Sequence, residues 1–407
     1  MFYTRKKKFN VINRMRVLVL GVGKMGYGLM KDLSAQPDVD EIVAADIDTE
    51  RAAVYADRVG SEKVSVQKLD VTKRDAAASL MREGFDVVAS ALPRPFCDAA
   101  ASAAIEAGLG YADVAASFST IFGLDEDAKE AGVTVVPHIG LDIGIDRVLC
   151  GVGARKLDVV ERFHVWCGGF PQKDTPGYDN PLRYKISWYW PYAALSNIGS
   201  STVLVDGELV EVPRLSDTEE IIFPEPIGRC EAYVTGDLMD VIEHLGLSGV
   251  KDAWAKTVRW PGHTEIWRKL IDLHLLDEEP VRVKGVDVSP RDLFLSLGEK
   301  TLQYGPGEGD SICQRVEVTG LKGGERRSLI FEFMDLHDFE NDISAMARTT
   351  AFPCSVVAQM IMRGEMTETG VVHPVRIGYD EGLSRRFFEE LGKRRINITE
   401  AVVNQFN

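Results

Sequence analysis

The chain has 407 residues, 45% of them apolar and 27% charged, with a formal net charge of −15. That is globular composition, long enough for two domains, and it argues against a disordered, collagen-like or coiled-coil chain. No stretch approaches the roughly 18 uninterrupted apolar residues of a spanning helix. The acidic body repels phosphate backbones, so neither a membrane nor nucleic acid is an expected partner.

Residues 1–14 carry Arg5, Lys6, Lys7, Lys8 and Arg14 and no acid. The apolar run that follows, Val17–Val22, is short and contains Gly21. Lys24 stands where a secretory signal would have small residues. Met15 directly precedes the first strand pattern. Residues 1–14 are therefore expected to be a disordered basic extension or the product of an upstream start, not an address. Six cysteines (Cys97, Cys150, Cys167, Cys230, Cys313, Cys354) lie far apart with no Cys-x-x-Cys pair. Neither a disulfide framework nor a structural zinc site is expected, and a reducing cytoplasm fits.

Arg16–Leu20 is an apolar run of buried-strand length. It breaks at Gly21-Val22-Gly23-Lys24-Met25-Gly26, and a helical pattern then runs through Met30 and Leu33. Glu41–Ala45 is the next strand, stopping at Asp46, twenty residues beyond Gly26. Strand, glycine turn, helix, strand and acid is the arrangement that binds a dinucleotide. Gly21 permits the tight turn, Gly23 lets backbone approach the pyrophosphate, and Gly26 lets the helix pack on the strand. The helix start, with Lys24 and Met25, offers N–H groups to the phosphates. Asp46 would accept from the adenosine ribose and repel a 2′-phosphate, which predicts NAD with NADP as the other option. Arg51 stands close enough to complicate that choice.

The alternation continues with a strand Val64–Leu69 ending at Asp70-Val71, a helix Asp75–Arg82, and a strand Phe85–Ala91 ending at Leu92-Pro93. A helix Phe96–Ala107 follows, then a short strand into Asp113, then Val133–Val136. These strand ends share one edge of a parallel sheet, where ligands of doubly wound folds sit. Asp70 and Val71 are placed near adenine, and Ala91, Leu92 and Pro93 near the nicotinamide ribose. After His138 the texture changes. Gly140–Asp146 opens a helix toward Cys150, and short strands follow, among them Val160–Cys167, Val203–Val205, Glu208–Val212, Val281–Val283, Ile312–Thr319 and Ser328–Phe333. The predicted architecture is α/β: a doubly wound (Rossmann) parallel sheet over 15–137, then an α+β substrate and dimerisation domain with a mixed or antiparallel sheet over 138–345. Residues 346–407 are expected to return as helices onto the nucleotide domain, with the last apolar helix at Thr350–Arg363.

Several ordered words resemble the saccharopine dehydrogenase-like oxidoreductases. They are Gly140-Leu-Asp-Ile-Gly144, Cys167-Gly-Gly-Phe-Pro-Gln172, Asn180-Pro-Leu-Arg-Tyr-Lys-Ile-Ser-Trp188, Thr257-Val-Arg-Trp-Pro-Gly-His263 and Arg348-Thr-Thr-Ala-Phe-Pro353. The resemblance implies a nicotinamide-dependent enzyme acting on a C–N bond of an amino acid. Within that family, lysine 6-dehydrogenase is favoured by the tail Phe387-Phe-Glu-Glu-Leu-Gly392. It is also favoured because Tyr189-Trp-Pro-Tyr192 follows Ser187-Trp188 where saccharopine reductases place an arginine. Saccharopine reductase and carboxynorspermidine dehydrogenase are the alternatives, and a dinucleotide-sensing protein without turnover is the reading from another class.

The implied chemistry is oxidative deamination at the ε-carbon of lysine, which needs a base for the ammonium and a place for the carboxylate. Asp142 and Asp113 are the candidates for amine recognition or base work, although a carboxylate at a helix start or strand end is often a cap. His263 is a candidate proton carrier or a structural histidine. Lys185 suits the substrate carboxylate, or a salt bridge. Asn180, Tyr184 and Trp188 either hold substrate or order their loop. Arg348 and Thr349 are placed at a helix start, where capping alone would explain the threonines. No metal is expected, because hydride transfer to nicotinamide needs none. A homodimer is the base-rate assembly.

Overall fold

A computed structural model of the protein describes residues 15–404, so the expectation for residues 1–14 lies outside the described residues. The apolar runs of the first third become parallel strands at Met15–Leu20, Val39–Asp46, Val64–Lys68, Val87–Ser90, Gly110–Asp113 and Thr134–Val136. Continuous apolar runs suit strands covered on both faces, and Val17–Leu20 and Val87–Ser90 are buried throughout. The chain winds outward from Met15–Leu20 through 39–46 to 64–68. It then crosses to the other side and continues through 87–90, 110–113 and 134–136. The reversal lies between Met15–Leu20 and Val87–Ser90, where the ligand crevice of such a sheet opens. Leu20 stands level with Ala45 on one side and Ser90 on the other. A seventh strand, Gly370–Val371, pairs in parallel with Thr134 and Val135.

The second half forms a nine-stranded mixed sheet. Its central strand, Val159–Pro171, runs parallel to Asp252–Arg259 on one side and antiparallel to Asp310–Lys322 on the other. Alternation along that strand splits its side chains between faces. Phe163, Val165 and Cys167 join the core shared with the helices Ile145–Lys156 and Ala345–Met362, whereas Phe170 and Trp166 pack on the opposite face.

The last apolar helix starts at Ala345, not Thr350. Ser344 is its N-cap, accepting from the Ala347 N–H at 3.1 Å, and Asp310 takes the N–H groups of Ala345 and Met346 at 2.7 and 2.8 Å. Capping thus acts a full turn earlier, and Arg348 and Thr349 belong to the helix interior. This helix lies against Lys24–Ser34, with Gly28 at the crossing. A Cβ built on Gly28 would stand 2.7 Å from Ala351 Cβ. Buried charge fastens the contact: Asp32 accepts from Arg394 Nε at 2.6 Å and from Ser355 Oγ at 2.6 Å. Arg363 pairs with Asp38 at 2.7 Å.

Candidate functional site

The glycine turn has the geometry its spacing predicts. Gly21 adopts φ +80°, and a Cβ there would stand 2.8 Å from the carbonyl oxygen of Ala91. At Gly26 a Cβ would stand 2.0 Å from the Gly21 carbonyl oxygen. Gly23 is different: nothing lies within 4 Å of the position its Cβ would take, and the helix it precedes has no side-chain cap. Open space over an uncapped helix start is the cradle a pyrophosphate requires, so the residues fit a dinucleotide. Ala91 is tied to the first strand by its N–H to the Leu20 carbonyl at 2.7 Å, which sets Leu92 and Pro93 beside the turn. Asp70 caps its own turn, accepting from the Thr72 N–H and hydroxyl at 3.1 and 2.6 Å, and Val71 is buried.

Two cofactor candidates have partners within the protein. Asp46 is buried and turned inward, with Oδ2 accepting from the Val22 N–H at 2.7 Å and Oδ1 from Asp48 N–H at 2.9 Å. Arg51 pairs with it at 3.2 Å and is half exposed. The carboxylate therefore braces the glycine turn, and the guanidinium stands outside it. Lys24 reaches toward the second domain. Its Nζ donates to the Ile186 carbonyl at 2.7 Å and to Gln303 Oε1 at 3.2 Å, joining the glycine turn to the second domain. Burial pushes its ammonium pKa down. Met25 packs against the core.

Of the carboxylates proposed for amine work, Asp142 alone keeps an accessible face. Protein crowds it from behind, where Asp146 and the Cys167 thiol are its neighbours. Desolvation first, and then the adjacent Asp146 charge, raise its pKa well above the usual carboxylate range. A carboxyl that is accessible on one side and holds its proton toward neutrality can exchange that proton with an amine. Asp113 is fully buried. Its Oδ1 accepts from the N–H groups of Ala115, Ala116 and His138 at 2.7, 2.7 and 3.2 Å, and burial pushes its pKa up to about 6. It braces the ends of two strands.

Three further candidates are engaged by the protein itself through burial and pairing. His263 is buried, and its Nδ1 bonds the Leu182 carbonyl at 3.0 Å. That bond makes Nδ1 the donor, and desolvation holds the ring well below its ordinary pKa. It anchors a loop, the structural one of its two readings. Lys185 is spent on Glu308 and on the Gln303 carbonyl at 3.0 Å, so it is not free for a substrate carboxylate. Arg348 is held by Asp335 at 3.2 Å and Asp338 at 3.3 Å, and the Thr349 hydroxyl donates to the Ala345 carbonyl at 2.8 Å. Neither of the last two side chains is available to substrate. Asn180 orders its loop, accepting from the N–H groups of Leu182 and Tyr184 at 3.1 and 3.2 Å. Tyr184 is buried, and Trp188 is partly exposed at 36%.

The residue that sequence reasoning missed is Arg259. It is buried on the strand Asp252–Arg259, and among the described residues it forms no ion pair within 4.0 Å. Its one hydrogen bond is Nη1 to the Val258 carbonyl at 2.9 Å, and its Nε has no partner. The guanidinium lies over the Tyr184 ring at 5.3 Å. The hydroxyls of Tyr184, Ser187 and Tyr304 are likewise buried without a hydrogen-bond partner of good geometry, and the guanidinium charge reaches both tyrosines. Buried polar groups are ordinarily satisfied. A lone buried guanidinium beside orphaned hydroxyls is suited to an anion, above all a carboxylate taken in the planar fork. The signal was present in Thr257-Val-Arg-Trp: an arginine at an inward position of a buried strand needs a partner.

Comparison with known proteins gives this geometry a lineage. Residues 17–136 match the saccharopine dehydrogenase NADP binding domain, and residues 140–396 match the saccharopine dehydrogenase C-terminal domain. The chain belongs to the saccharopine dehydrogenase family. It is 25% identical over 432 residues to mitochondrial alpha-aminoadipic semialdehyde synthase of Mus musculus, covering 89% of this chain and 45% of that protein. The chain thus spans about half the length of the first curated relatives it matches. A saccharopine dehydrogenase (NADP(+), L-glutamate-forming) of Schizosaccharomyces pombe is 22% identical, covering 96% of this chain and 99% of the relative. The apo histidine-tagged saccharopine dehydrogenase (L-Glu forming) from Saccharomyces cerevisiae superposes with a TM-score of 0.81 at 21% identity, covering 96% of this chain and all of that one. Both sheets of the fold are therefore those of this family. No helix among the described residues is long and apolar enough to cross a membrane.

Proposed function

We propose that the chain is a nicotinamide-dinucleotide-dependent oxidoreductase acting on the C–N bond of an amino acid, and that L-lysine, oxidised at its ε-carbon, is the best-fitting substrate. The observation that carries this is the pairing of one unsatisfied buried guanidinium with one accessible, proton-holding carboxyl. Thr257 lies level with Cys167, which neighbours Asp142, and Arg259 follows two residues along on the same face. Two residues of strand rise and one strand spacing separate the Cα atoms of Cys167 and Arg259 by about 8 Å. Arg259 and Asp142 therefore border one region around the Cys167–Thr257 pair. When bound, the cofactor supplies the hydride acceptor.

The remaining work falls to side chains. Arg259, with the Tyr184, Ser187 and Tyr304 hydroxyls, holds the carboxylate. Asp142 takes a proton from the ε-ammonium at its carboxylate oxygen, so that the nitrogen lone pair is free when the C–H bond breaks. Trp188 and Tyr184 border the aliphatic stem and limit water. Saccharopine is the second reading, favoured by the names of the relatives. It carries further carboxylates, and Arg348 and Lys185 are not free to meet them. A homodimer and a cytoplasmic location go with the proposal, the first tested by sedimentation equilibrium.

The deciding experiment incubates the protein with NAD or NADP and L-lysine, saccharopine or carboxynorspermidine, reading reduced cofactor and ammonia together. Reduced cofactor with ammonia from lysine is the expected result, and NAD is expected to serve at least as well as NADP. Turnover of saccharopine alone would replace lysine with the second reading. Cofactor binding with no turnover of any substrate would favour a sensing role.

A further inference from the structure

Behind Asp142 runs a chain of buried charges that cofactor and carboxylate binding leave unused. Asp146, at the start of the helix Ile145–Lys156, accepts from the Gly144 N–H at 2.7 Å and pairs closely with Arg147. Arg147 also grips Asp240 with both arms of its fork, Nε to Oδ2 at 2.7 Å and Nη2 to Oδ1 at 3.2 Å, and donates to the Asp237 carbonyl at 3.1 Å. Asp240 Oδ2 meets His373 Nε2 at 3.0 Å. His373 Nδ1 accepts from the Val375 N–H at 3.1 Å, so Nε2 must carry the hydrogen and the ring is neutral. Its depressed pKa, about 4 through burial, agrees. Asp146, Arg147 and His373 are all buried.

The array cannot relax easily. A Cβ on Gly378 would stand 1.8 Å from the Val148 carbonyl oxygen, and one on Gly151 2.2 Å from that of Val375. The helix beginning at Pro374 is thereby pressed onto the helix bearing Arg147. Asp146 and Asp240 thus share one guanidinium, and Asp142 stands against Asp146 at the end of the array. The other titratable groups facing them are the Cys150 and Cys167 thiols, His138 beside Arg147, and His244 stacked on His373 at 4.3 Å.

We propose that Arg147 and Asp240 are positioning residues for Asp142: by dividing the Arg147 charge between Asp146 and Asp240, the array sets the pH at which Asp142 exchanges its proton. Asp240 draws part of that charge away from the site and leaves Asp146 incompletely neutralised, which favours the protonated form of Asp142. The inference rests on the role given to Asp142 above. It makes a signed statement. Asp240→Asn removes a negative charge, frees Arg147 to neutralise Asp146, and lowers the Asp142 midpoint. Arg147→Gln removes the cation that Asp146 and Asp240 share and raises the midpoint.

The test is a carboxyl carbon-13 titration of the full chain labelled at aspartate, with the Asp142 signal assigned through Asp142→Asn. Expected shifts are about one pH unit downward in Asp240→Asn and upward in Arg147→Gln, with Asp240→Glu returning the midpoint toward wild type. Either variant decides the sign alone if the other does not fold. Midpoints that stay at the wild-type value, or that move together in one direction as general loosening would move them, overturn the proposal. The titration is read without substrate. Shifted midpoints in a protein inert toward amines would count against the functional reading only, and unmoved midpoints in an active one against this inference only.

Discussion

An unpaired buried charge is the most informative single feature of this molecule, and Arg259 supplies it. A guanidinium taken out of water without a charged partner is costly, which supports the proposal that an anion reaches it with the substrate. On the proposed role, Arg259→Gln would remove a charge-assisted bond to the substrate carboxylate worth about 1.5–3 kcal/mol. The expected result is a rise in KM for an amino acid of roughly ten- to a hundredfold, with a smaller loss for the corresponding amine lacking the carboxylate. Steady-state kinetics on the two compounds check it. Asp113 makes a different prediction. Its folded pKa of about 6 exceeds the usual carboxylate value because burial penalises the charge. The native state therefore binds the proton more tightly than the unfolded chain, and the group costs stability as pH rises from about 4 through 6. Above that the cost is constant, at about 3 kcal/mol for a shift of this size. Asp113→Asn removes the dependence. Urea unfolding of both proteins at pH 4.5 and pH 8 should show the variant gaining relative to wild type at the higher pH, whatever fixed penalty the amide carries.

At the scale of elements, legibility followed locality. The first strand, its glycine turn and the following helix are encoded within a few neighbouring residues, and Gly21, Gly23 and Gly26 could be assigned distinct duties from spacing alone. The strand Gly370–Val371 is two residues long and carries no period to detect. It exists because Thr134 and Val135 offer it an edge. The helix start at Ser344 was misplaced because Arg348-Thr349-Thr350 resembles a cap, whereas Asp310, distant in sequence, secures the true one. His263 and Lys185 have chemistry that suits a site, but their partners here are the Leu182 carbonyl and Glu308, which no local pattern reveals. The crossing at Gly28 offers a direct test. Alanine would gain about 1 kcal/mol in helix propensity, but overpacking against Ala351 and the Ala347 carbonyl costs about 1–3 kcal/mol. Gly28→Ala should lower Tm, and adding Ala351→Gly should recover most of the loss.

Across the whole molecule, the closing helices hold the nucleotide domain through buried charge. Arg394 sits between Asp32 and Glu390, all three nearly excluded from solvent. Arg394→Ala would leave two acids buried with their principal cation gone, a change of about 3–5 kcal/mol. The expected reading is a large fall in the urea midpoint, and Arg394→Lys should recover part of it. A fall no larger than that of an exposed pair such as Lys269–Glu265 would show that the link is dispensable.

The seventh strand also bears on how this chain is made. The edge at Thr134–Val136 leaves the ribosome some 235 residues before Gly370–Val371 can cover it. At ordinary rates of synthesis that is roughly 10–50 s. Throughout that interval the nascent nucleotide domain presents a bare sheet margin and the uncovered groove at Gly28, the kind of surface that chaperones occupy and that other chains invade. Translation speed over the second half, and not only the final balance of contacts, should therefore govern how much of this protein reaches its native state in a cell.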